Sequence, residues 1–80
     1  MDKYKFTHYF ENEVLRKRPY LTKEICVKII KNYIKSEKQE NNRFRFWGKC
    51  NDLEGKILRV VTLGDKTTIH NAFLDRRFKP

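Results

Sequence analysis

The chain has 80 residues, a length that corresponds to one domain, residues 1–80, with a single core. Lys and Arg number 19 and Asp and Glu number 10, so the net charge at pH 7 is +9. The hydrophobic fraction of 39% is enough for a core, which excludes a wholly disordered chain. No apolar run approaches the roughly 20 residues that cross a bilayer, and no apolar stretch follows the first charges. We therefore expect neither a membrane protein nor a secreted one.

The positive charge is distributed along the chain, because residues 1–40 and residues 41–80 each carry more basic than acidic side chains. This excludes a basic tail attached to a neutral domain. A positive domain attracts polyanions through phosphate contacts and counterion release. The charge therefore favours nucleic acid as the partner, and an acidic protein is the alternative.

The first predicted element is a short helix over residues 7–18. Thr7 can cap its N-terminus, and Phe10 and Val14 repeat at the four-residue spacing of one helix face. Basic residues fall in its last turn, where they suit the helix dipole, and Pro19 ends it.

A second helix is predicted over about residues 23–33. Thr22 is a natural N-cap, and Leu21 is placed to pack against Cys26 as a hydrophobic staple. The helix has a single apolar face, formed by Ile25, Cys26, Ile29, Ile30 and Tyr33.

The second half of the chain predicts an antiparallel sheet. Residues 34–39 are expected to be a connection that leads into a turn at residues 40–42. Short connections favour a meander with both helices packed on one face. We therefore expect an α+β fold, with two N-terminal helices on a mainly antiparallel sheet of three to four strands. The predicted strands cover residues 43–47, 56–63 and 67–73, and the tail 74–80 closes the domain.

Two strands carry basic side chains that could bind phosphate. Strict alternation places Arg43, Arg45 and Trp47 on one strand face, which is either a platform for phosphates and bases or a solvated edge. Arg59 interrupts an otherwise apolar strand, and a charge there is costly unless it is paired or solvated. Arg59 therefore either pairs with a carboxylate such as Glu37 or Asp75, or lines an open site.

His8 and His70 are the two histidines of the chain. An isolated histidine is often structural or simply exposed. Together with several arginines, however, two histidines suit RNA cleavage by attack of the 2′-hydroxyl. That reaction needs a base, an acid and cations around the phosphate.

Other chemistries find little support in the sequence. Cys26 is expected in the core and Cys50 near a turn, and neither belongs to a paired zinc motif, so we expect no metal and no disulfide in a reducing cytoplasm. The carboxylates are scattered, and neither a glycine-rich phosphate loop nor a nucleophile elbow occurs. We therefore expect no cofactor.

Several segments together resemble a set of small basic bacterial proteins of unknown function, which are similar to the RelE/ParE-like and BrnT-like toxins of type II toxin–antitoxin systems. The resemblance spans about residues 4–79 and rests on Phe6-Thr7-His8, residues 14–22, Arg43-Phe44-Arg45-Phe46-Trp47-Gly48, Leu58-Arg59-Val60-Val61 and residues 67–78.

The resemblance implies a compact α+β fold, a cognate antitoxin as partner and, for many relatives, cleavage of mRNA. His8, Arg16 and Arg59 fall where the family keeps a histidine and arginines, and His70 and Arg76 fall in the C-terminal region where related toxins place functional groups. We therefore expect a cytoplasmic, metal-independent endoribonuclease acting on mRNA, either free or bound to the ribosome. The alternatives are a non-catalytic basic binding module for RNA or an acidic protein, and a regulatory subunit of a complex. The predicted catalytic residues are His8, Arg59 and His70, and the predicted RNA-binding residues are Arg16, Arg43, Arg45, Trp47, Arg76 and Arg77.

Overall fold

Five strands form one mixed sheet in a computed structural model that describes residues 3–78. The strands are β1 (Lys5–Phe6), β2 (Lys35–Gln39), β3 (Arg43–Cys50), β4 (Lys56–Leu63) and β5 (Thr68–Leu74). Their order in the sheet is β1-β5-β4-β3-β2. β1 runs parallel to β5, and all other neighbours are antiparallel. The predicted α+β class is confirmed, and the apolar strand β4 lies at the centre of the sheet.

The sheet has five strands rather than the three to four expected from the sequence. β1 has only two residues, which is too short to show an alternating pattern. β2 lies where a connection was expected, and its side chains are polar and mostly exposed, so hydrophobicity gives no sign of a strand. It forms because it pairs with the whole first part of β3, from Lys35 opposite Trp47 to Gln39 opposite Arg43.

The first helical segment, α1, begins with a π-helical stretch, Phe10–Val14, and continues as a short α-helix, Leu15–Lys17. Thr7 acts as the predicted cap, because its Oγ1 accepts a hydrogen bond of 3.1 Å from the backbone N–H of Phe10. Phe10 and Val14 are fully buried, so the predicted apolar face is confirmed.

The second helix, α2, covers Lys23–Lys31, and its Thr22 cap is confirmed by a 3.1 Å hydrogen bond from the Ile25 N–H to Thr22 Oγ1. Four residues of the predicted apolar face are buried: Ile25, Cys26, Ile29 and Ile30. Tyr33 was wrongly placed on that face. The helix ends at the Asn32 C-cap, so Tyr33 lies beyond it and is 50% exposed.

β3 extends to Cys50, three residues beyond its predicted end, and the turn expected near Cys50 follows directly at Asn51–Leu53. Gly48 of β3 lies beneath α2, where a Cβ atom would come within 3.2 Å of the Ile29 side chain. The glycine therefore lets helix and strand approach closely.

Both helices lie on the same side of the sheet, as predicted: α2 packs on β3 and β4, and α1 packs on β5. Cross-strand partners share a face, so the register places several of the singled-out residues on the opposite side. We call that side the helix-free face, and it is formed by Arg43, Arg45, Trp47, Arg59, Val61 and Phe73. Within residues 3–78, no helix has the length and apolar character needed to cross a membrane.

Candidate nucleic-acid interface

The indole of Trp47 lies at the centre of the helix-free face and is only 5% exposed. The guanidinium carbons of Arg45 and Arg59 each lie 5.4 Å from its ring centroid, and Lys35 Nζ lies at 5.8 Å. The Phe78 ring stacks on the indole at 5.2 Å, so the C-terminal tail covers this ring. Trp47 therefore organises the basic side chains around it but offers little free surface for stacking a base.

Arg59 is paired with Asp75, one of the two carboxylates that the sequence left open. Its Nη2 and Nε atoms donate to Asp75 Oδ2 at 2.7 and 3.2 Å, and Trp47 Nε1 donates to the same oxygen at 2.9 Å. These hydrogen bonds, first from Trp47 and then from Arg59, lower the pKa of Asp75 to about 2. Contact between Arg59 and a reacting phosphate therefore stays a prediction, and the structure gives this residue a place in the scaffold.

The acid stability of the domain follows from this carboxylate. Because the pKa of Asp75 is about 2 when folded and 3.8 ordinarily, its contribution is complete above about pH 5 and is lost as pH falls through 3.8 and then through the folded value of about 2. We expect the free energy of unfolding, measured with urea, to fall by about 2 kcal/mol through this group. The Asp75→Asn variant should lack that part of the loss.

A second carboxylate supplies the control for this titration. The pKa of Asp65 is also about 2, since burial raises it but hydrogen bonds from Thr68 and Thr67 outweigh that effect. An Asp65→Asn variant should therefore keep the part of the acid loss that Asp75 causes. Identical acid profiles for the wild type and Asp75→Asn would contradict the assignment.

Arg45 and Arg43 lie toward the β2 edge of the helix-free face. Arg45 Nη2 lies 3.3 Å from Glu37 Oε1, which makes Arg45 the partner of Glu37. Its Nε is buried and has no hydrogen-bond partner within residues 3–78. An unsatisfied buried donor of this kind costs about 1–3 kcal/mol. Both arginines line an open cleft of about 440 Å³, together with Lys38, Gln39, Glu40 and Asn41.

His70 is turned away from the core by an irregularity in β5. The pairing with β4 shifts between Val61 and Thr62, which is the mark of a β-bulge. Ile69 and Ala72 are both fully buried although they are three residues apart, so the bulge accommodates the two residues between them outside the core. His70, one of those two, is half-buried.

The imidazole of His70 is held by the chain segment before α1. Its Nδ1 lies 3.1 Å from Thr7 Oγ1, and the Tyr9 ring stacks on it at 5.0 Å. The Thr7 hydroxyl can donate to Nδ1 or accept from it, so it orients the ring in either neutral tautomer. Burial, followed by the positive charge of Arg43, lowers the pKa of His70 below its ordinary 6.5. Both effects favour the neutral form of the imidazole.

His8 does not join this group. Its side chain is exposed at the start of the first helical segment. In the described part of the chain, neither a hydrogen bond nor a ring contact joins His8 to His70. The residues on either side of His8, Thr7 and Tyr9, make those contacts instead.

The remaining predicted RNA-binding residues lie around the domain rather than at one centre. Arg16 is exposed on α1, and Arg76 and Arg77 are exposed in the tail. Arg76 borders a cleft of about 410 Å³ between the tail and the start of β4. The Arg77 backbone N–H donates to Asp75 Oδ1 at 3.0 Å, which fixes the turn of the tail.

The structure adds three contacts that sequence analysis missed. Thr7 and Tyr9 hold His70, and Arg18 lies over the Phe73 ring at 5.9 Å. The sequence signal for Thr7 was its capping pattern, which gave no indication of a partner 63 residues away. For Tyr9 and Arg18 the sequence shows no periodic or motif signal that would single them out.

The two cysteines are free and buried. Burial, with a smaller effect of neighbouring Cys50, raises the pKa of the Cys26 thiol to about 12, which keeps it protonated and weakly nucleophilic. Among residues 3–78, no three His, Cys, Asp or Glu side chains are grouped as ligands for a metal ion.

Comparison with known proteins finds no family, no curated protein and no solved structure that matches this chain. Any functional assignment therefore depends on the geometry of the helix-free face and of the His70 group.

Proposed function

We propose that this chain is the toxin of a type II toxin–antitoxin system, with a RelE-like fold, and that it is a metal-independent endoribonuclease acting on mRNA in the cytoplasm. One observation supports this most strongly. His70 is turned out of the core at the β5 bulge, and its imidazole is held by Thr7 and Tyr9. Burial first, and the positive charge of Arg43 second, lower the pKa of His70, so a group that can accept a proton lies within the electrostatic reach of a cation that can bind phosphate.

The proposed reaction is transfer of the phosphodiester to the neighbouring 2′-oxygen. His70 takes the proton from the 2′-hydroxyl, the 2′-oxygen bonds to phosphorus, and the bond to the 5′-oxygen breaks as that oxygen gains a proton. Thr7 orients the imidazole, and Arg43 stabilises the charge that develops on the phosphate. Tyr9, stacked on His70 and 44% exposed, would carry the second proton in place of His8.

A non-catalytic basic binding module, for RNA or an acidic protein, is the second candidate. It is favoured by the state of the central residues, because Arg59 is neutralised by Asp75 and Trp47 is covered by Phe78. Such a face binds through its outer arginines without any group acting on the substrate. Cleavage of RNA distinguishes the two candidates, and binding alone does not.

The test of catalysis is incubation of single-stranded RNA with purified protein in excess chelator. We expect cleavage that leaves 2′,3′-cyclic phosphate ends, because the attacking oxygen comes from the substrate itself. If the folded protein binds this RNA but does not cleave it, the endoribonuclease proposal is refuted and the binding-module proposal is retained.

The toxin assignment predicts that expression of this chain arrests growth. We expect expression of the wild type to stop bacterial growth, and co-expression of the cognate antitoxin, sought in the adjacent reading frame, to restore it. The His70→Ala variant, accumulated to the same level, should allow growth. Normal growth with folded wild-type protein present would refute the toxin assignment.

RNA binding should depend strongly on salt, because the net charge of +9 releases counterions on contact with phosphates. We expect affinity for a labelled 20-nucleotide RNA, measured by anisotropy, to fall by about 10–100-fold between 50 and 200 mM salt. The Arg43→Gln/Arg45→Gln variant should show a shallower salt dependence. Lys28→Gln/Lys31→Gln, a matched change on exposed α2 positions, should leave the slope close to that of the wild type.

A further inference from the structure

The helix side of the sheet is incompletely covered. A helix is about 10 Å wide and strands are about 4.8 Å apart, so one helix covers about two strands. α2 packs on β3 and β4 and α1 on β5, and in the described chain neither helix packs extensively on β2. Ser36 and Lys38 of β2 are paired with Phe46 and Phe44, so they share the side that faces the helices. The result is an α2–β2 groove of about 290 Å³, lined by Tyr4, Ile30, Tyr33, Ser36, Lys38 and Phe44.

The floor of the α2–β2 groove is apolar. Tyr33, which lines the groove, is 50% exposed, and Ile34, which follows it beside the groove, is 52% exposed. The Tyr33 ring packs edge-on against Phe46 at 5.4 Å, which holds the exposed ring in place. Phe44 and Tyr4 are only partly buried against the core. A partner that covers these side chains would gain from removing their apolar surface from water.

The rim of the groove is positively charged. Lys3, Lys38 and Lys66 all line it, and Lys66 Nζ lies 4.6 Å from the centroid of the Phe44 ring. Glu37 is the one acidic residue among the lining residues, and its carboxylate is already in ion pairs with Lys35 and Arg45. An apolar floor inside a ring of lysines complements a segment with apolar residues on one face and acidic residues beside them.

We propose that the α2–β2 groove binds an acidic amphipathic helix of a partner protein, which continues the helical layer over β2. Apolar side chains at spacings of three and four residues would lie on Tyr33 and Phe44 and extend to the exposed Ile34 beside the groove, and flanking carboxylates would meet the lysines. The proposal rests on the proposed function only for the partner's identity, which would be the antitoxin. The groove lies on the opposite side of the sheet from the helix-free face.

Selection from a random 16-residue peptide library against the full chain tests the proposal without knowledge of the partner. We expect enriched peptides to be acidic, with apolar residues three and four positions apart. The Tyr33→Ser/Ile34→Ser variant should bind the best peptide at least 10-fold more weakly by anisotropy. Tyr9→Ser, which removes an equally exposed aromatic ring outside the groove, should bind as the wild type does. A scrambled peptide of the same composition controls for charge alone.

Several results would overturn the proposal. If the library yields no enriched peptide, or if the scrambled peptide binds as tightly as the selected one, the groove proposal is refuted. Unchanged peptide binding by Tyr33→Ser/Ile34→Ser would also refute it. Self-association of the wild type that this variant abolishes would make a second copy of the chain the occupant instead. RNA cleavage by the same preparations separates the two proposals. If the wild type binds peptide but does not cleave RNA, the groove proposal stands and the ribonuclease proposal is refuted. If it cleaves RNA but binds no peptide, the ribonuclease proposal stands and the groove proposal is refuted.

Discussion

Replacing His70 by Ala is expected to lower RNA cleavage by about 10²–10⁴-fold, the usual contribution of a general acid or base. The fold should tolerate the change, because His70 is half-buried at a bulge and its partners Thr7 and Tyr9 remain in contact with solvent. RNA affinity should fall far less than cleavage, since the surrounding arginines are unchanged. The measurement is kcat/KM on a defined oligonucleotide, with thermal unfolding of the same samples.

The pH profile gives a readout that a structural histidine would not produce. Burial and Arg43 lower the pKa of His70, so the neutral form that accepts a proton persists below the ordinary value of 6.5. We expect kcat/KM to be level near pH 7 and to fall in acid with an apparent pKa below 6.5. Arg43→Gln removes a positive charge that lowers the pKa of His70, so the fall of kcat/KM in acid should move to higher pH. The same variant should also lower the rate.

His8→Ala is the matched control for His70→Ala, because His8 is the other histidine and lies outside the His70 group. It should leave cleavage near the wild-type level. Tyr9→Phe keeps the stacked ring but removes the hydroxyl, and it should lower the rate if the phenol carries the second proton. Full activity of His70→Ala, or loss of activity in His8→Ala alone, would contradict the proposed site.

Local patterns predicted much of the fold. α2 has a cap, a staple and a buried stripe, and β4 has a continuous apolar run; both signals depend on residues close together in sequence. β1 and β2 escaped prediction because one has two residues and the other is polar, so their pairing partners define them. Hydrogen bonding to a neighbour is a tertiary property that composition does not record.

The candidate site was predictable in its residue types and much less so in its grouping. Charge, histidines and the alternation of β3 pointed to Arg43, Arg45 and His70. The pairing of Thr7 with His70 depends on the parallel contact of β1 with β5, which joins opposite ends of the chain. The choice between Glu37 and Asp75 for Arg59 likewise depended on the register of three strands, and sequence alone left both open.

Arg59 and Asp75 are expected to stabilise the fold more than any other surface pair. Arg59 also lies over the Trp47 and Phe73 rings, at 5.4 and 4.8 Å from their centroids, so its guanidinium joins three strands and the tail. Its side chain is 24% exposed, which places it between a buried and a surface ion pair. Arg59→Ala should therefore lower the free energy of unfolding by about 2–3 kcal/mol, less than the loss of a fully buried pair.

Arg59→Lys separates geometry from charge. Lysine keeps the positive charge but cannot donate from two nitrogens to Asp75 Oδ2 while lying flat between two rings, so we expect about half of the destabilisation seen with Ala. Asp75→Asn should resemble Arg59→Ala, because it leaves the guanidinium without its counter-ion. Trp47 is the single tryptophan of the chain, so its fluorescence reports directly whether this cluster is intact.

Cleavage per folded molecule then decides the role of Arg59. A guanidinium that touched the reacting phosphate would cost about 10²–10³ in rate when removed. With Asp75 as the partner of Arg59, the Arg59→Ala variant should instead keep cleavage per folded molecule within about threefold of the wild type. The double variant Arg59→Ala/Asp75→Asn should lose less free energy of unfolding than the two single variants together. The measurements are urea unfolding and RNA cleavage on the same preparations. A loss of about 100-fold in cleavage by Arg59→Lys, with its stability largely retained, would place Arg59 at the phosphate and move the reacting centre from the His70 end of the sheet to Trp47.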